Sequence, residues 1–90
     1  MTIKKDLSPE EKEFVAILAE KLPPVIARKD VDRFLGGAVA PQTLTNHDFN
    51  GTGPQQSWKV GRNVIYNTDS LIEWMVAKLG VSKIAHLNDL

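Results

Sequence analysis

The chain of 90 residues contains no cysteine and only two histidines, His47 and His86. Without cysteine, disulfide bridges and thiolate metal ligands are excluded, so packing alone must stabilise the fold. The histidines lack partners at the spacing of metal ligands, and we expect no metal site. Neighbouring residues on a helix point in different directions, so His47 and Asp48 do not suit a catalytic dyad. We expect a protein that is not an enzyme and has no cofactor and no small-molecule substrate.

Long apolar runs are also missing. None approaches the roughly 18 residues that a membrane span needs, and the start, Met1 to Asp6, lacks the apolar stretch of a secretory signal. We therefore expect a cytoplasmic protein without a membrane partner. The length corresponds to one small domain, which buries roughly 60 to 65% of its unfolded surface. This size disfavours a deep substrate cavity enclosed by one subunit.

Neither sign of charge is in excess, because 11 Lys and Arg balance 11 Asp and Glu. Nucleic-acid-binding proteins usually carry an excess of basic residues. Residues 36–66 contain Lys59 and Arg62 against Asp48, which leaves this stretch with one excess positive charge. Any basic surface must therefore be assembled by folding.

The residues that are present predict a first helix over 8–22. Ser8 supplies an N-cap hydroxyl, Pro9 fits the first helical position, and Glu11 closes a capping box. Apolar residues then recur at helical spacing until Pro23 and Pro24 end the pattern. This helix is expected either to cover the small core or to serve as a dimerisation element.

Two further short helices are predicted over 28–35 and 41–49. Gly36-Gly37 ends the first, and Pro41 begins the second. Val31, Phe34 and Leu35 are expected to face the core. Two short helices joined by a glycine-containing turn have the layout of a helix-turn-helix, although an ordinary corner between helices fits these local features equally well.

A β-hairpin is predicted for Ser57–Val60 and Asn63–Tyr66, since the intervening Gly61-Arg62 suits a type II′ turn. A lone hairpin is unstable in water, so we expect it to pack on the helices through Trp58 or Val60 and through Ile65.

Asn67 or Thr68 is expected to cap a last helix over 68–79, which Gly80 ends. Trp74 is expected to be buried on this helix, beside a stripe formed by Leu71, Ile72, Met75 and Leu79. Trp58 is also expected to pack in the core. The predicted organisation is an N-terminal extension over 1–25, a winged helix-turn-helix domain over 26–80 and a C-terminal tail over 81–90.

Several short motifs between Ile26 and Lys78 follow one another in a distinctive order. They are Lys29-Asp30-Val31, Phe34-Leu35-Gly36, Pro41-Gln42-Thr43-Leu44, Gly51-Thr52-Gly53-Pro54, the run from Lys59 to Tyr66, and the run from Asp69 to Trp74. Together they resemble the AlpA and phage excisionase family of small winged helix-turn-helix proteins, relatives of the MerR-type DNA-binding domain. The resemblance implies a mostly α fold with a small β-hairpin.

The resemblance also implies double-stranded DNA as the partner, with the second helix in the major groove and the wing on the backbone or in the minor groove. Such proteins regulate transcription of prophage or mobile-element genes, or bend DNA during prophage excision. The implied contacts come from the second helix, Gln42, Thr43, Thr45 and Asn46, and from the wing, Lys59, Arg62 and Asn63.

The chemistry of these side chains agrees with that assignment. Gln42 and Asn46 are four residues apart, hence on one helix face, and their amides can bond adenine. Arg62 at a hairpin tip can enter a narrow minor groove, and Lys59 can neutralise a phosphate. One such domain makes few phosphate contacts, so we expect binding as dimers or as cooperative arrays on repeated sites.

The chain departs from the family where members often carry Arg or Lys along the second helix. Here Thr45, Asn46, His47 and Asp48 stand instead. The alternative interpretation is a protein-interaction module on a winged-helix scaffold that does not bind DNA. Asp48 on the expected DNA-facing helix and the zero net charge favour that alternative.

Overall fold

The structure is a computed structural model that describes residues 7–82 and residue 84. Its described part has four α-helices and one three-stranded antiparallel sheet. The elements in chain order are α1 Pro9–Lys21, β1 Val25–Ala27, a 3₁₀ turn Arg28–Asp30, α2 Val31–Phe34, α3 Pro41–Phe49, β2 Ser57–Val60, β3 Asn63–Asn67 and α4 Thr68–Lys78. Within these residues no helix has the length and apolar character to span a membrane.

The first helix forms as its capping residues predict. The Glu11 backbone N–H donates to Ser8 Oγ over 3.2 Å, and the Ser8 N–H donates to Glu11 Oε1 over 2.8 Å. Leu22 adopts an extended conformation, which the following Pro23 favours, and the helix ends there. The helix predicted over 8–22 is thus confirmed to within one residue at each end.

The second helix is shorter than predicted. The segment 28–35 is divided into a 3₁₀ turn and the single helical turn α2. Val31 and Leu35 are buried, as expected, but Phe34 is 37% exposed. Val31 and Leu35 are four residues apart and share the inward face, which turns Phe34 away from the core. Its ring lies instead against the Arg33 guanidinium, 5.1 Å from the ring centroid.

The hairpin belongs to a larger sheet than the two strands predicted. β1 pairs with β3, so β3 is the central strand between β1 and β2. Gly61 has a φ of +63°, while none of the described non-glycine residues has positive φ, as a type II′ turn at Gly61-Arg62 requires. Strand β1 is not among the predicted elements, because its three residues carry too little pattern to predict a strand and its partner.

The hairpin has the register that its two-residue turn predicts, but it packs on the helices through the face opposite to the predicted one. Tyr66 pairs with both Ile26 and Ser57 and is fully buried. Side chains alternate along a strand, so Val64 faces the core with Tyr66, whereas Ile65 points to the other side. The prediction that Trp58 or Val60 and Ile65 make the contact is therefore wrong, because these residues lie on the face that points away from the helices.

Two adjoining clusters of buried residues form the core. The larger one joins the sheet to α2, α3 and α4, with these members: Ile26, Val31, Leu35, Val39, Leu44, Tyr66, Leu71, Trp74 and Met75. In the smaller one, Val15 of α1 packs on Ile72 and Val76 of α4. Phe14 and Leu22 contact both clusters. Helix α1 thus covers one side of α4.

The last helix agrees with its predicted cap and stripe at most positions. The Ser70 N–H donates to Asn67 Oδ1 over 3.0 Å, so Asn67 is the N-cap. Trp74 is buried as predicted, but Leu79 is 49% exposed because the helix ends at Lys78. Of the predicted tail, Val81, Ser82 and Ile84 lie outside helices and strands, and the other residues from 83 onward lie outside the described part.

Candidate nucleic-acid interface

Helix α3 turns one face to the core and the opposite face to solvent. Leu44 is fully buried and fixes the inward direction. At about 100° per residue, Gln42, Asn46 and Phe49 lie on the other side, and all three are exposed. Helix α1 packs against α4, and the outward side of α3 remains open.

Gln42 and Asn46 share the outward face, as their spacing predicts. Gln42 Nε2 donates to Asn46 Oδ1 over 3.0 Å. This bond holds the two amides side by side and leaves the Gln42 carbonyl oxygen and the Asn46 amide hydrogens pointing to solvent. One acceptor and one donor are what an adenine edge requires in the major groove.

The two threonines are placed differently from these amides. Thr43 and Thr45 are half-buried on the flanks of α3. Thr45 Oγ1 donates to the Pro41 carbonyl oxygen over 3.1 Å, within the helix itself. The Thr45 hydroxyl is therefore already engaged, although its methyl group can still make an apolar contact.

Asp48, the acidic residue of α3, points away from the outward face. Its Oδ2 accepts from Arg28 Nη2 over 2.5 Å and from the Tyr66 hydroxyl over 2.5 Å. Arg28 Nε in turn donates to the Tyr66 oxygen over 2.9 Å. We call Arg28, Asp48 and Tyr66 the polar triad. It connects the 3₁₀ turn, α3 and β3, and it neutralises the carboxylate that the sequence places on this helix.

The triad could not be predicted from the sequence, because its members are far apart along the chain. Tyr66 is 18 residues from Asp48, and Arg28 is 20 residues from it. In the sequence, the acidic residues beside Arg28 and Arg33 are Asp30 and Asp32. Arg33 does pair locally, with Asp30 at 3.6 Å, but Arg28 reaches Asp48 instead.

The surroundings of the triad alter the titration of its members. Burial, followed by the hydrogen bond to Asp48, raises the pKa of Tyr66 to about 12. Burial acts to lower the pKa of Arg28, but its bonds to Tyr66 and Asp48 outweigh that effect and raise it above its ordinary value. Near neutral pH, Arg28 is therefore charged and Tyr66 is protonated.

The loop after α3 is held to α4 by His47 and Thr52. The Trp74 indole N–H donates to the Thr52 carbonyl oxygen over 2.9 Å. His47 Nδ1 lies 2.8 Å from Thr52 Oγ1, and its ring meets the Trp74 ring edge-on at 5.1 Å. The histidine thus has a structural role, and the described residues contain no cluster of three groups that could hold a metal ion.

Gly53 lets this loop pass close to the polar triad. A Cβ atom at Gly53 would overlap Asp48 Oδ1 and would come within 3.3 Å of the Asp48 backbone nitrogen. Only glycine allows this approach while Asp48 keeps its bonds to Arg28 and Tyr66. The close approach was not predicted from the Gly51-Thr52-Gly53-Pro54 motif.

A cleft of about 510 Å³ separates the end of α3 and the following loop from strand β2. Lys59 pairs with Val64 on the helix-facing side of the hairpin and lines the cleft. Arg28 and Asp48 line the same cleft. Because Asp48 is paired with Arg28, the Lys59 ammonium leaves this cleft with one excess positive charge.

The remaining two predicted wing residues lie at the tip of the hairpin. Arg62 is exposed in the turn. Asn63 is exposed as well, but it pairs with Val60 and so faces the side opposite to Lys59. The structure brings Lys59 towards α3 and does not bring Asn63 there.

The outward side of the sheet carries a second surface, which we call the outer sheet face. It consists of apolar side chains from all three strands: Val25, Ala27, Trp58, Val60 and Ile65. Trp58 is 49% exposed, so the prediction that it packs in the core is wrong. Asn63 and Asn67 lie on the same face, because they pair with Val60 and Val25.

Comparison with known proteins finds no family model, no curated protein and no solved structure that matches this chain.

Proposed function

We propose that this protein is a winged helix-turn-helix protein that binds double-stranded DNA. In this proposal α3 lies in the major groove, and the β2–β3 hairpin acts as the wing. The biological role is that of a transcriptional regulator of prophage or mobile-element genes, or of an excisionase-like factor that bends DNA. It involves no cofactor and no bond chemistry.

The observation that carries the proposal is the orientation of α3. Its outward face presents the Gln42 and Asn46 amides, while its carboxylate, Asp48, is turned inward and paired with Arg28. A carboxylate on the outward face would repel phosphates and could not donate a hydrogen bond to the acceptors of base edges. Because Asp48 points away from the outward face, it does not oppose the approach of DNA to Gln42 and Asn46.

Two basic residues beside this helix can contact the phosphate backbone of DNA. Lys59 lies in the cleft next to α3, and Arg62 projects from the hairpin tip. Two such cations correspond to a small number of phosphate contacts, and each contact adds one displaced counterion to the salt dependence. Useful affinity therefore requires dimers or cooperative arrays on repeated sites.

Selection from a random pool of DNA duplexes at moderate salt tests the proposal. We expect enrichment of a short motif with adenine at a position that depends on Gln42 and Asn46. The variant Gln42→Ala/Asn46→Ala is the matched control, because both side chains are exposed and their removal leaves the core intact. Absence of enrichment with the wild-type chain would contradict sequence-specific DNA binding.

The outer sheet face favours a second candidate, a protein-interaction module that does not bind DNA. Trp58 and Val60, exposed to 49% and 56%, are large apolar groups on an edge strand. Aromatic residues of this kind are enriched at protein interfaces. If the selection fails, a Trp58→Ser variant that loses self-association or partner binding while retaining its fold would support this candidate.

A further inference from the structure

We infer that Phe49 is a specificity-determining residue of α3 that contacts the 5-methyl group of thymine in the major groove. The inference rests on the proposed function, since it concerns which base the same helix face recognises. Phe49 was predicted only as the residue at which the helix ends, and no role was assigned to it.

The first observation is the exposure of the ring. Phe49 is 90% exposed, the largest exposure among the large hydrophobic residues that the structure describes. The other two phenylalanines are more covered: Phe14 packs against both core clusters, and Phe34 is 37% exposed. A phenylalanine ring that is almost wholly in water adds almost no buried apolar area to the core, so it is free to contact a partner.

The second observation is the position of Phe49 on the helix. It is seven residues after Gln42 and three after Asn46, which places it in line with both amides on the outward face. The inward face is occupied by Leu44, so the helix cannot bury Phe49 without exposing Leu44. Any partner that reaches the two amides along the helix therefore also meets the ring.

The chemistry of the neighbours favours DNA over protein as that partner. Phe49 is a single apolar group in line with two carboxamides, and the larger apolar area belongs to the outer sheet face. A protein interface needs a contiguous patch with a buried apolar centre. An amide pair followed by one apolar side chain instead suits the edge of adenine followed by the methyl group of thymine.

The helix geometry gives the spacing of the two contacts. Seven residues at a rise of 1.5 Å separate Gln42 from Phe49 by roughly 10 Å along the axis. Base pairs are about 3.4 Å apart, so a helix lying along the groove places Phe49 roughly three base pairs from the adenine at Gln42. The proposal thus specifies both the chemical group and its place in the site.

Replacement of thymine by uracil tests the inference, because uracil lacks only the 5-methyl group. Starting from a selected duplex, each thymine is replaced in turn, and affinities are measured for the wild-type chain, Phe49→Ala and Ile17→Ala. Ile17 is the matched control, since it is an apolar residue of α1 that is 54% exposed and lies outside the proposed interface. Circular dichroism and thermal melting check that the variants retain the fold.

We expect one or two thymines whose replacement weakens wild-type and Ile17→Ala binding by about fourfold per methyl group. The same replacement should leave the affinity of Phe49→Ala unchanged. Equal discrimination by wild-type and Phe49→Ala, or no discrimination by the wild-type chain, would overturn the inference while leaving DNA binding itself intact. If Phe49→Ala instead loses self-association in sedimentation and weakens binding to all duplexes equally, Phe49 belongs to a protein contact and the inference is wrong. Failure of the wild-type chain to bind any selected duplex would remove the proposed function and this inference together.

Discussion

The Tyr66 hydroxyl donates to Asp48 Oδ2 over 2.5 Å and thereby connects the central strand of the sheet to α3. Arg28 bonds both groups, so the two side chains and the guanidinium form a closed set of hydrogen bonds. The Arg28 and Asp48 side chains are only 24% and 22% exposed, and polar groups shielded from water in this way are costly when one partner is missing. The polar triad therefore adds to the burial of Leu44 in holding α3 with Gln42, Asn46 and Phe49 on its outward face.

The first prediction concerns the titration of Tyr66. It is the only tyrosine in the chain, so the ultraviolet absorbance of tyrosinate reports on it alone. The pKa of Tyr66 is raised from 10.0 to about 12, so the folded state favours the protonated hydroxyl. Its stabilising contribution should be complete below pH 10 and should be lost as the pH rises towards 12.

Absorbance titration of the folded chain and of the chain in denaturant measures the two midpoints. The variant Tyr66→Phe is the control. It lacks the hydroxyl, so any change of its stability between pH 10 and pH 12 comes from other groups. A midpoint near 10 in the folded chain would contradict the contacts described for the hydroxyl.

The second prediction concerns the carboxylate of the triad. Asp48→Ala should lower the free energy of unfolding by about 1 to 3 kcal/mol, because it leaves Arg28 and Tyr66 without their shared acceptor. Asp48→Asn should also lower the pKa of Tyr66, since the bond to Asp48 is one of the causes that raise it. Denaturant unfolding and the tyrosinate titration measure these effects. Glu20→Gln, an exposed change on α1, serves as the control and should alter neither quantity.

The third prediction concerns the close approach of the loop to α3. Gly53→Ala should destabilise the fold by about 1 to 3 kcal/mol, as overpacking does, because its methyl group displaces the Asp48 carboxylate. In an Asp48→Ala background this carboxylate is absent, so the same substitution should cost less. A double-mutant cycle from unfolding curves measures this coupling. Equal costs in both backgrounds would show that Gly53 acts independently of the triad.

The fourth prediction separates backbone contacts from base recognition. Arg62→Ala should weaken binding to every duplex and reduce the slope of log K against log salt by roughly 1. Asn46→Ala should mainly relax the preference for the selected sequence. Binding measured against random and selected duplexes at several salt concentrations distinguishes the two. Equal loss on every duplex for Asn46→Ala would reject its role in base recognition.

The elements that could be predicted are those whose cause is local. Ser8, Pro9 and Glu11 cap α1 within four residues of one another, and their bonds form in the structure. Helix α3 begins at Pro41 and ends at Phe49 as expected, and the hairpin turns at Gly61-Arg62. Helix caps and tight turns depend on neighbours in sequence, so the amino-acid sequence is sufficient to locate them.

Features that depend on distant neighbours could not be predicted. The pairing of β1 with β3 joins residues about 40 positions apart, and the sheet packs on the helices through Tyr66 and not through the face of Trp58 and Ile65. Phe34 was expected to be buried because its spacing suits a helix stripe, but α2 is only one turn long. A short helix or strand could turn any of several faces towards the core, and the residues packed against it decide which face is buried.

In the candidate site, too, local features could be predicted from the sequence and long-range contacts could not. The amino-acid sequence by itself determined that Gln42, Asn46 and Phe49 share one face of a helix, because a period of 3.6 residues follows from backbone geometry. Only the tertiary structure decided that this face is exposed and that Asp48 points inward to Arg28 and Tyr66. A charged side chain takes its partner from whatever the fold brings within hydrogen-bond reach, and that partner lies on another element.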